Sequence, residues 1–117
     1  MKILIVEDTP LMVQAVERAG DGFCVTADRA TDGWDAIEKL ENESYDAIVI
    51  DTDLPRHSGF GVLTYLREVA DGLDNVIVMT SSDRDELRRK LLDDPVHVIA
   101  KTDEDLTAAV RTLALRS

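Results

Sequence analysis

Apolar residues along this chain fall into two repeating patterns. Five short runs rich in β-branched or aliphatic residues, Ile3 to Val6, Phe23 to Ala27, Ala47 to Ile50, Val76 to Met79 and Val96 to Ala100, read as strands buried in a sheet. Between them apolar positions recur at helical spacing: Trp34, Ile37 and Leu40, then Val62, Leu63, Leu66 and Val69, then Leu106, Ala109, Val110 and Leu113. Helix starts agree with that register. Ser82-Asp83-Arg84-Asp85 and Thr102-Asp103-Glu104-Asp105 each place a Ser/Thr cap three residues before an acid.

Strands joined by helices run parallel, because each crossover returns the chain to the same end of the sheet. The pattern therefore predicts a doubly wound α/β fold, with its chemistry at the carboxyl ends of the strands, where the strand order reverses. No internal repeat, low-complexity tract or linker is visible, and the expectation is a single domain over residues 1–117 with no fused output domain.

Composition narrows the function. The chain has 117 residues, 44% of them apolar, enough for one ordinary core. Twenty-four acidic residues against 13 basic ones leave a formal charge of -11, which repels phosphate backbones and anionic lipid. Direct contact with nucleic acid or membrane is not expected. The single thiol, Cys24, excludes an intrachain disulfide and reads as a small buried hydrophobe in a reducing compartment. Ile3 to Val6 is too short for a signal-peptide core or a membrane span, so the cytoplasm is the expected location.

The candidate chemistry lies just after the strands. The first run ends in Glu7-Asp8, the third in Asp51 with Asp53 two residues on, the fourth in Thr80-Ser81-Ser82 and the fifth in Lys101. Carboxylates converging in one partly desolvated cleft repel unless a cation sits among them. Oxygen ligands filling only part of a shell suit Mg²⁺ better than Zn²⁺. A lysine and a hydroxyl supply charge and a donor for phosphoryl oxygens, and one carboxylate remains to attack phosphorus.

The fragments ILIVED, DAIVIDTDLPRHSGF, VIVMTSS and VIAK, together with ATDGWDAIEKL, resemble the response-regulator receiver family along essentially the whole chain. Pro55 four residues after Asp51, and Gly59 four residues after that, make the combination specific. The resemblance implies a flavodoxin-like (βα)5 fold with a five-stranded parallel sheet in the order 2-1-3-4-5. It implies that Asp51 is the phosphoacceptor, that Asp8 and Asp51 bind Mg²⁺ directly with the carbonyl of Asp53, and that Glu7 holds metal-bound water. Thr80 matches the family's switch hydroxyl, Lys101 its lysine, and Asp53 and Ser82 match positions that tune hydrolysis. The implied partners are a sensor histidine kinase or histidine phosphotransfer protein and a downstream protein target, with the chain a monomer or weak dimer. It would be a phosphoacceptor assisting its own turnover rather than an enzyme.

Each residue also has an ordinary reading. Acids at strand ends serve as helix caps, Ser82 is the apparent cap of the fourth helix, and Pro55 and Gly59 shape a loop. His57, with no second His or Cys nearby in the sequence, reads as an exposed loop histidine. Two positions depart from the family pattern: Val98 stands where an aromatic residue is usual, and Thr102 where proline follows the lysine. Val is stiff, and the Lys101–Thr102 peptide is expected to be trans. Arg84, Arg88, Arg89 and Lys90 make a basic cluster on the fourth helix, either a solvated face with pairs such as Asp85 with Arg89 or a docking surface for an acidic partner.

Other classes fit less well. A glutamate after a first strand and a later Asp-x-Asp resemble Toprim-type sites and haloacid dehalogenase-type phosphatases. The first calls for glycine after the glutamate and a basic surface, and the second for an early Asp-x-Asp in a longer chain. A stronger alternative is a phosphorylation-independent pseudo-receiver that works by docking alone.

Overall fold

The structure is a computed structural model that describes residues 2–7, 11–19, 25–53, 58–68, 75–81, 83–91 and 96–116. Strand and helix alternate as β1 (Lys2–Val6), α1 (Leu11–Ala19), β2 (Thr26–Ala30), α2 (Gly33–Asn42), β3 (Ala47–Asp51), α3 (Ser58–Glu68), β4 (Val76–Thr80), α4 (Arg84–Lys90), β5 (His97–Ala100) and α5 (Asp103–Arg116). The strands form one sheet in the order β2-β1-β3-β4-β5, and every pairing is parallel. This is the doubly wound, flavodoxin-like arrangement expected from the sequence.

Side chains alternate across the sheet because the strand period is two, and each face has its own core. On one face Leu4, Val6, Ile48, Ile50, Val76 and Val78 pack with Ala36 of α2, Val62, Leu63 and Leu66 of α3 and Leu87 of α4. On the other, Ile3, Ile5, Val49, Ile77 and Met79 pack with Ala15 and Val16 of α1 and Leu106, Val110 and Leu113 of α5. Because β1, β3 and β4 are covered on both sides, they carry the longest unbroken apolar runs. Among the described residues no helix is long and apolar enough to cross a membrane.

Three expectations are corrected. The second strand is Thr26–Ala30, not Phe23 to Ala27. It is a half-exposed edge strand that carries Asp28 and Arg29, so an apolar run did not mark it. Phe23 and Cys24 lie outside the described residues. Trp34 is 83% exposed, and α2 turns Gly33 and Ala36 inward instead. The cap of α4 is Asp83, whose carboxylate accepts from the amides of Asp85 and Glu86. A carboxylate both accepts those hydrogen bonds and faces the positive end of the helix dipole. Ser82 lies outside the described residues.

At α5 the expected cap holds: the amide of Asp105 donates to Thr102 Oγ1 at 3.1 Å. The Asp105 carboxylate accepts instead from the amide of Ala100 at 3.2 Å. The Lys101–Thr102 peptide is trans.

The basic residues of α4 are partly engaged within the molecule. Arg84 pairs with Asp105 at 3.5 Å, and Arg88 Nη2 donates to the carbonyl of Val98 at 3.3 Å. Asp85 pairs with Arg88 rather than with Arg89, and Lys90 lies 3.8 Å from Glu86. The outer edge of β5 is thus held by one guanidinium and one carboxylate.

Candidate functional site

The parallel sheet brings four residues to one end. Glu7 follows β1, with its amide bonded to the Ala30 carbonyl at 2.9 Å. Asp51 closes β3, Thr80 closes β4, and Lys101 follows β5 with its amide on the Thr80 carbonyl at 2.9 Å. Glu7 and Asp51 are each 1% exposed and Thr80 is 4% exposed. They are the only buried polar or charged side chains among the described residues. Proteins rarely bury such groups unless they are paired or functional.

Lys101 binds the group together. Its Nζ lies 2.6 Å from Asp51 Oδ2 and 3.9 Å from Glu7 Oε1. Burial pulls the ammonium down, but the hydrogen bond and charge of Asp51, followed by the charges of Glu7 and Asp53, outweigh it and leave the Lys101 pKa above its ordinary value. One ammonium thus lies within reach of two buried carboxylates.

The Asp51 carboxylate is held at its other oxygen too. Oδ1 accepts from the amide of Asp53 at 2.8 Å. Among the described residues Oδ2 meets only the Lys101 ammonium, at 2.6 Å, so this buried oxygen keeps acceptor capacity. Two buried carboxylates at one sheet end and an Asp51 oxygen with acceptor capacity left fit a hard divalent cation that takes oxygen ligands. Among the described residues no three His, Cys, Asp or Glu side chains group closely enough to enclose a metal alone. Asp8, expected as a direct ligand, lies outside the described residues, as do Pro55 and His57.

Asp53 is exposed. Its Oδ2 accepts from both the amide and the hydroxyl of Ser81, at 2.8 Å and 2.7 Å. Ser81 was given no role in the sequence analysis. The signal for it is the β3–β4 register, which pairs Asp51 with Met79 and, continued by two residues, sets Asp53 beside Ser81. Thr52 fixes that register, since its amide and its hydroxyl both donate to the Met79 carbonyl at 3.0 Å.

The family model for the response regulator receiver domain matches residues 3–111. This chain belongs to that family. Its receiver fold is also that of the receiver domain of Francisella response regulator 1452, at 24% identity and a TM-score of 0.78, over 98% of this chain and 97% of that one. Response regulator protein TrrA from Thermotoga maritima, solved in complex with Mg²⁺-BeF, superposes with a TM-score of 0.73 at 21% identity over 96% and 97% of the two chains. Among relatives in sequence, transcriptional regulatory protein DltR of Streptococcus agalactiae is 34% identical over 84 residues, 70% of this chain and 36% of DltR. Transcriptional regulatory protein TcrA of Mycobacterium tuberculosis is 39% identical over 67 residues, 57% of this chain and 26% of TcrA. The receiver chain thus matches about a third or less of each of these relatives.

Proposed function

We propose that this receiver accepts a phosphoryl group on Asp51 from the phosphohistidine of a sensor histidine kinase or a histidine phosphotransfer protein, and signals by docking to a downstream protein. The observation that carries the reading is Asp51 itself. It ends β3, is 1% exposed, and lies 2.6 Å from the Lys101 ammonium. In the transfer an Asp51 oxygen forms the new O–P bond while the donor's P–N bond breaks, and the imidazole nitrogen leaves with the electron pair. Lys101 offsets charge on the incoming oxygens, and Thr80 offers a hydroxyl at the adjacent strand end.

Mg²⁺ would be held by Asp8, Asp51 and the Asp53 carbonyl, with Glu7 holding metal-bound water, and would neutralise charge on the carboxylates and the phosphoryl group. The protein on this reading assists its own phosphorylation and dephosphorylation, and works in the cytoplasm. Its charge of -11 disfavours direct contact with nucleic acid. The relatives named as transcriptional regulators extend well beyond the matched stretch, so nothing about their own targets transfers to this chain.

For output, Arg89 and Lys90 on the exposed face of α4 are the better-placed contacts, since Arg84 and Arg88 hold α5 and β5. A second reading, docking without phosphorylation, has one observation in its favour. Val98 is buried in the core at 8% exposure, so no aromatic ring is there to move with Thr80.

Incubation with Mg²⁺ and acetyl phosphate, followed by intact mass, tests the assignment. The parent and Asp53→Asn gain one phosphoryl group and Asp51→Asn gains none. Labelling of Asp51→Asn together with its loss in Asp53→Asn overturns the choice of acceptor. An unlabelled parent leaves the docking module.

A further inference from the structure

Asp53 and Ser81 make a contact that neither metal binding nor attack on phosphorus requires. Two donors of one serine, the amide at 2.8 Å and the hydroxyl at 2.7 Å, converge on one oxygen, Asp53 Oδ2. Paired backbone and side-chain donors are a common way to hold an anion. Here the anion is supplied by the chain itself.

The pair borders the nucleophile. The β3–β4 register matches Asp51 with Met79, Ser81 stands two residues further along, and neighbouring strands run only ~4.8 Å apart. On the β3 side the Asp53 amide is bonded to Asp51 Oδ1 at 2.8 Å. A phosphoryl group on Asp51 brings three oxygens that need donors. Lys101 and Thr80 offer one each, and Ser81 is the next residue along β4 with donors facing this edge of the site.

We infer that the amide and hydroxyl of Ser81 form an anion site shared between the Asp53 carboxylate and a phosphoryl group on Asp51, so that Asp53 is a built-in competitor and Ser81 a positioning residue. The inference rests on the reading of Asp51 as phosphoacceptor. As the Asp51 oxygen bonds phosphorus and the donor's bond breaks, the dianionic group repels the neighbouring carboxylate. Asp53 then releases Ser81 and turns to solvent. The Ser81 protons stay where they are and change acceptor. Both residues are exposed, so the clasp opens at little cost and sets the rate of labelling without blocking it.

The test follows intact mass against time with acetyl phosphate at Mg²⁺ concentrations saturating for each variant. In this step the Asp51 oxygen forms the O–P bond, the P–O bond to acetate breaks, and acetate leaves with the electron pair. Asp53→Ala is expected to label about 3- to 10-fold faster than the parent, the size of an exposed charge-assisted contact. Asp53→Asn, neutral but still able to accept from Ser81, is expected to fall between them. In a Ser81→Ala background the gain from Asp53→Ala should shrink to less than half.

Labelling of Asp53→Ala at the parental rate overturns the inference. So does equal acceleration by Asn and Ala that persists undiminished without the Ser81 hydroxyl, because charge repulsion alone then explains it. A second readout is the amide resonance of Ser81 in ¹⁵N-labelled protein, which should move both in Asp53→Ala and on phosphorylation of the parent. A resonance fixed through phosphorylation overturns the shared site. An unlabelled parent sinks the Asp51 reading instead, so the two failures are distinguishable.

Discussion

Lys101 Nζ reaches Asp51 Oδ2 at 2.6 Å across the end of β4, which separates the two strands that carry them. The lysine follows an edge strand, its amide is bonded to the Thr80 carbonyl, and its ammonium enters the cleft while 24% of the side chain stays accessible. Removing it changes two assays differently. Lys101→Ala should slow labelling of Asp51 on the order of 10²-fold, as loss of a donor to a developing charge does. Mg²⁺ affinity should hold or rise, since a competing positive charge has gone. Calorimetric Mg²⁺ titration beside the labelling assay checks both, and a loss of metal binding would show that the lysine is structural.

The same pair gives a pH dependence with a defined sign. Because the folded-state pKa of Lys101 is raised above the ordinary 10.5, its contribution to stability is fully present below that value and is lost as pH rises through the folded pKa. The parent should therefore lose its stability advantage over Lys101→Met above about pH 10.5 and not in the neutral range. Urea midpoints across the alkaline range decide it, and an advantage that fades near neutrality contradicts the assignment.

Asp8→Asn should weaken Mg²⁺ by at least the ~10-fold that loss of even an outer partner costs a metal site. Glu7 and Asp51 alone do not complete a ligand set. An unchanged titration removes Asp8 from the site.

Asp83→Ala should destabilise the protein by about 1 kcal/mol through loss of the α4 cap, while Ser82→Ala changes stability far less. Equal effects of the two substitutions in urea unfolding would return the cap to Ser82.

These predictions separate what the sequence made legible from what it did not. β1, β3 and β4 were readable because both faces of each are buried, and the acids after β1 and β3 and the lysine after β5 followed from chain direction alone. β2 was not readable as an apolar run, because an edge strand half open to water tolerates Asp28 and Arg29. Trp34 misled for a related reason. Its apolar character fits the helical stripe, yet α2 buries its small neighbours Gly33 and Ala36, with Leu40 of the stripe packed against the core. The Asp53–Ser81 contact depends on register between strands separated by a whole helix, which no local pattern encodes. Arg88 rather than Arg89 pairs with Asp85, and the same guanidinium donates to the Val98 carbonyl of β5, a contact across elements that helical spacing does not encode.

That last contact bears on how two molecules of this kind can meet. A parallel sheet ends in strands whose outward amides and carbonyls invite another strand to join. On β5 the Val98 carbonyl is taken by Arg88 and the Ala100 amide by Asp105, with Arg84 tied to the same aspartate. A foreign strand seeking that border has to displace a guanidinium and a carboxylate before it gains its first ladder bond. Lateral growth into fibres is discouraged there, and recognition on that flank is left to side chains.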